Sequence, residues 1–180
     1  MSSVAPGLTP LIDVPGWPIV RPPLLMNQLG PLLAVTFGAP FDEDTESVFL
    51  RELTRHFDSR QGKELCVLYH LGATYRAETR TIKRLSVTVK PYFDLLKATT
   101  AAFGFVSESA FGRAAIKTVL FASPLPYPAS VYSTPEAAFR AFARAMPTVE
   151  AAALESAYED ALRRQLPAMH REWRGNSIEK

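Results

Sequence analysis

Three short, continuous apolar runs, Leu32–Phe37, Leu65–Leu71 (LCVLYHL) and Ala101–Val106, alternate along the chain with segments of helical periodicity. Runs of this length, bounded by Gly and Pro, read as buried strands. After the first run, Asp42, Glu43 and Asp44 precede a stripe of Phe49, Leu53 and Phe57. Acids at a helix start complement the macrodipole, and four-residue spacing puts the three side chains on one face. Gln61-Gly62 ends that helix. A second helix from about Glu78 turns Ile82, Leu85, Val89 and Phe93 or Leu96 inward, and Pro91 predicts a kink or a split.

The third run leads to a helix capped by Ser107 or Ser109, with Phe111, Ala115 and Val119 expected to face inward. The SPLPYP stretch at 123–128 breaks it. A short strand, Ala129–Tyr132, then meets a strong helix start, with Thr134 as cap, Pro135 at the first helical position, and Phe139, Phe142 and Met146 as the inward face. Strands alternating with helices predict an α/β sandwich with right-handed crossovers and at least partly parallel pairing.

Both ends differ from this pattern. Residues 1–31 hold seven of the fifteen prolines, which bars a helix or a central strand. They read as an extended arm, with one short edge strand near Trp17–Arg21, strapped across its own domain or docked onto a partner. Met146-Pro147-Thr148 resets the chain, and a last helix carries Leu154, Tyr158, Leu162, Met169 and Trp173, interrupted at Pro167. The division is therefore an arm at 1–31, a domain at 32–146 and a helical extension at 147–180. An apolar helix stripe must be buried somewhere. The extension reads either as a buttress or as an arm for a partner, with Tyr158, Leu162 and Trp173 as its contacts and Trp173 as anchor.

Composition excludes several functions. Twenty basic and eighteen acidic residues among 180 leave a formal charge of +2, too balanced for a general nucleic-acid binder. One cysteine, Cys66, excludes an internal disulfide framework and a cysteine zinc cluster. No apolar run approaches a membrane span, and no basic start followed by an apolar stretch marks a secretory signal. A soluble cytoplasmic protein is the expectation.

Residues 102–144 also carry a family resemblance. A strand ending in a small polar turn leads to a helix with an aromatic-small-Arg step, Phe111-Gly112-Arg113. A Pro-rich break follows, then a short strand and the helix start Thr134-Pro135-Glu136-Ala137-Ala138. This order resembles bacterial STAS-like domains of the SpoIIAA-like type, over about residues 17–146. The resemblance implies a mixed sheet of four to five strands with helices mainly on one face, used for protein–protein switching or, in related folds, ligand binding. The phosphorylated serine of the anti-anti-sigma branch corresponds to Thr79 in the stretch 77–82 (AETRTI), which keeps an acid followed by a hydroxyl and lacks the Ser-Ser-Gly step.

Catalytic groupings are sparse. His56, His70 and His170 have no second ligand at metal spacing. His70 ends a strand, where open α/β sheets place functional groups, but an imidazole hydrogen-bonded at a strand exit is the more ordinary reading. Cys66 and His70 lie about 13 Å apart along a regular strand, too far for a nucleophilic dyad, so Cys66 reads as a small buried hydrophobe. The glycines are isolated, no G-x-S-x-G elbow occurs, and the acids at 42–44 and 159–160 read as solvated.

Charge distribution points instead to contact. Residues 76–117 hold eight basic and three acidic residues, whereas 41–64 hold seven acids and four bases. Arg76, Arg80, Lys83 and Arg84 fall at helical three- and four-residue spacing on one strip, which suits charge-steered docking. The sequence thus predicts a non-catalytic regulator or adaptor without cofactor or metal, acting on a protein partner, a second copy included. The rival is a lipid or small-molecule pocket lined by Phe103, Phe105, Phe111, Phe121, Tyr127 and Tyr132.

Overall fold

In the computed structural model, the described residues are 18–59, 64–76, 78–122, 125 and 127–178. They form an α/β fold around one mixed sheet of six strands in the order β1-β2-β3-β4-β5-β6. β1 (Ile19–Arg21), β2 (Leu24–Leu29) and β3 (Leu32–Phe37) make an antiparallel meander. β4 (Leu65–Leu71), β5 (Thr100–Ser107) and β6 (Ala129–Tyr132) then continue parallel to β3. The partly parallel pairing read from the alternation is present.

The strand number needs correction. Beyond the short edge strand expected near Trp17–Arg21, the segment 1–31 also supplies β2, and the sheet has six strands rather than four to five. The prolines permit this because Pro22-Pro23 occupies the β1–β2 turn, where no ladder donor is required. β1 is the edge strand expected there, while Trp17 lies outside the described residues.

α1 (Glu43–Ser59) links β3 to β4. α2 (Thr79–Val89), a short 3-10 turn at Lys90–Tyr92 and α3 (Phe93–Thr99) link β4 to β5, so the helix is split at Pro91 as expected. α4 (Ala110–Ala122) joins β5 to β6, and α5 (Pro135–Ala145) follows β6 with Thr134 accepting a hydrogen bond from the Ala137 amide. α6 (Ala151–Gln165) and α7 (Pro167–Ile178) follow, with Pro167 opening α7.

Helices cover both faces of the sheet, not mainly one. On one side, Met26, Leu33, Val35, Val67, Tyr69 and Phe103 pack with Phe49, Leu53 and Phe57 of α1 and with Val89 and Leu96. On the other, Leu25, Leu32, Ala34, Cys66, Leu68 and Val106 pack with Phe139 and Phe142 of α5, Leu154, Tyr158 and Leu162 of α6, and Met169 of α7. This explains why LCVLYHL is apolar without alternation: each successive side chain enters one of two cores. Gly104 serves the second core, since a Cβ there would lie 2.9 Å from the ring of Phe142.

Candidate interaction surface

Two of the four basic residues expected on one strip, Arg80 and Arg84, pair with acids at the start of α1. Arg84 pairs with Glu46 at 2.7 Å, and the Thr81 hydroxyl donates to the other Glu46 oxygen at 2.6 Å. Glu46 is buried, so Arg84 and Thr81 compensate a carboxylate withdrawn from water. Arg80 pairs with Glu43 at 3.3 Å, both side chains remaining exposed. The Arg76 guanidinium donates to the carbonyls of Ala73 and Tyr75. Lys83 stays exposed on the rim of a shallow groove of about 540 Å³ between α1 and α2, beside Leu50, Arg51 and Val87. Two segments whose opposite charges suggested an external partner are thus joined to each other through Arg80 and Arg84. Thr79 is exposed at the first residue of α2.

The C-terminal contacts also face inward. Tyr158 and Leu162 are buried in the second core and offer no surface to a partner. The reason is the bare sheet face, which α5 covers only in part and α6 completes. Trp173 belongs to α7, but its side chain lies outside the described residues. Next to it, Arg174 forks onto Glu159 and reaches Glu155 at 3.5 Å and Glu136 at 3.8 Å. His170 meets the same Glu159 at 3.3 Å. Hydrogen bonds from Arg174 hold the Glu159 carboxyl below its ordinary range. This cluster ties α5, α6 and α7 together.

A second polar cluster is buried at the ends of the central strands. Thr36 of β3 and His70 of β4 are register partners, and the Tyr158 hydroxyl from α6 lies 2.8 Å from Thr36 Oγ1 and 2.7 Å from His70 Nδ1. Burial pushes His70 down to about 3, so the imidazole is neutral at physiological pH. All three side chains lie inside the core, where they fix α6 to the sheet. Cys66 is buried as expected, its thiol pushed up to about 11 by burial.

The aromatic set proposed for a pocket divides. Phe103 stacks on Tyr127 at 5.3 Å and lies 4.9 Å from Phe105, while Tyr132 packs against the opposite core. Phe111 and Phe121 project from α4, 73% and 91% exposed, and Val119 is 42% exposed. The inward face expected for this helix is thus corrected: Phe111, Ala115 and Val119 point out, and Gly112, Arg113, Ile116 and Leu120 are the half-buried positions. α4 has no fully buried residue.

Its seating explains the reversal. A Cβ on Gly112 would lie 2.5 Å from Ser107 Oγ, so glycine lets the helix start close against the end of β5 without displacing that hydroxyl. The neighbouring Arg113 donates to the carbonyls of Ser107 and Glu108 at 2.9 and 2.7 Å and locks the turn. With Gly112 and Arg113 directed to the turn, Phe111 is left outside. A signal of this was present in the sequence: α4 is apolar around its circumference. An outer-layer helix of that kind must expose apolar surface.

Comparison with known protein families, curated proteins and solved structures finds no match for this chain.

Proposed function

We propose that this chain is a non-catalytic regulatory or adaptor protein that acts in the cytoplasm through protein–protein contact, with the outer face of α4 as the contact surface. The observation that carries this reading is the exposure of Phe111, Val119 and Phe121 on one helix. Large exposed apolar patches mark interaction sites, because leaving such surface in water is unfavourable. The resemblance of residues 102–144 to STAS-like domains, which work by protein contact, points the same way. The buried polar groups support it as well: Thr36, His70 and Tyr158 hold a helix to the sheet, and Glu46 holds α2 to α1.

A protein occupant fits α4 better than a lipid surface. Membrane-surface helices carry a strongly basic polar face, whereas α4 contains only Arg113 and Lys117, and Arg113 is engaged with its own turn. The test places a photo-cross-linking residue at position 121 of the intact chain in cells. The expected result is a polypeptide adduct, identified by its peptides and lost when Phe111→Ser is added. A lipid adduct, or no adduct, would overturn the reading.

A further inference from the structure

The exposed face of α4 has an internal symmetry that selects its partner. Phe111, Ala114, Thr118 and Phe121 are all exposed and follow a 3-4-3 spacing, the interval that keeps side chains along one seam of a paired helix. The order is large, small, small, large, and it reads alike in both directions about residue 116. An antiparallel copy centred there sets each Phe111 against the Phe121 of the other chain and each Ala114 against the other Thr118. The small central pair lets the backbones approach, and the rings close the two ends. We propose that α4 is an isologous dimer seam whose occupant is a second copy of this chain. This rests on the contact reading above and names its partner.

Charge and area agree with that occupant. No acid lies on α4, so its face offers an oppositely charged peptide little beyond Lys117. Phe side chains bury roughly 200 Å² each. Four of them, exposed as Phe111 and Phe121 are, would with the flanking small residues bring a symmetric pair near the roughly 1,000 Å² at which specific interfaces begin. Helices of 13 residues span about 20 Å, which limits the seam to that size. The dimer is therefore reversible and concentration-dependent.

Sedimentation of the intact purified chain, from low micromolar to several hundred micromolar, tests the proposal. The expected result is a monomer–dimer equilibrium that Phe121→Glu weakens at least tenfold while the melting temperature of the dilute, monomeric chain stays unchanged. Orientation is read separately by disulfide formation under mild oxidation: an equimolar mixture of Ala114→Cys and Thr118→Cys chains should cross-link more readily than either alone. A monomer throughout the range, an equilibrium indifferent to Phe121→Glu, or equal cross-linking of the single variants would overturn the seam. Co-sedimentation of a monomer with phosphatidylcholine–phosphatidylglycerol vesicles would overturn it in favour of a lipid surface. If the chain is monomeric and the position-121 cross-linker captures a different, identified protein, the dimer fails and the contact reading survives.

Discussion

The hydroxyl of Tyr158 on α6 lies 2.7 Å from Nδ1 of His70 on β4 and, from the same oxygen, 2.8 Å from Thr36 on β3. One side chain near the C-terminal end of the chain thereby satisfies polar groups on two central strands. The contact spans 88 residues in sequence for His70 and 122 for Thr36. Removing the hydroxyl should leave its two partners short of a buried hydrogen bond. Tyr158→Phe is expected to cost about 1–3 kcal/mol in urea unfolding, with a less-than-additive further loss in the double variant with Thr36→Val. Strict additivity would separate the two residues energetically.

Acid should unfold the protein partly through His70. Burial depresses its folded-state value to about 3, against 6.5 for the free side chain. Between those values the unfolded chain takes up a proton that the native state refuses. The stabilisation is complete above about pH 6.5 and is lost as pH falls through the window toward 3. Each unit of pH in that window should raise the unfolding constant about tenfold from this group alone. His70→Asn should be less stable at pH 7 but have a shallower acid limb in a pH series of denaturant melts.

Arg84 and Arg80 should differ sharply although they lie one helical turn apart. Arg84 faces a buried carboxylate, whereas both partners of the Arg80–Glu43 pair are exposed. Arg84→Ala is expected to destabilise by about 1–3 kcal/mol by leaving the buried Glu46 with the Thr81 hydroxyl but without a countercharge. Arg80→Ala should change stability by less than about 0.5 kcal/mol. Thermal melts of the two variants decide this, and equal effects would contradict the assignment of Glu46 as the inner partner.

The helical extension should be inseparable from the sheet. Ending the chain after Met146 removes Leu154, Tyr158, Leu162, Leu166 and Met169 from the second core. At about 1.5–3 kcal/mol for each buried apolar side chain, that loss rivals the roughly 5–15 kcal/mol stability of a typical domain. The truncated chain is expected to lose cooperative melting and near-ultraviolet circular dichroism. Retention of both would make residues 147–180 a detachable arm.

Much of the architecture was legible in the chain itself. The apolar runs marked the central strands, Pro91 and Pro167 marked helix breaks, and Thr134-Pro135 marked the start of α5. These are local effects of backbone geometry and capping, and they act within a few residues. The unbroken apolarity of Leu65–Leu71 also implied cover on both faces, against the family resemblance's expectation of helices mainly on one.

The candidate site was less legible, because partner choice depends on distant packing. Periodicity places Phe111, Ala115 and Val119 on a common face, but it does not say which face meets the sheet. That was decided by Gly112, whose missing side chain lets α4 approach Ser107, and by Arg113, which holds the turn. Likewise, the sequence identified a basic helix and an acidic one, while only the fold set Arg84 against Glu46 and Arg80 against Glu43. It marked Tyr158 and Leu162 as an apolar stripe in need of cover, and only the open face of the sheet determined what covers them. Local chemistry determined the elements; the competition among apolar and charged faces for one another decided which remained outside.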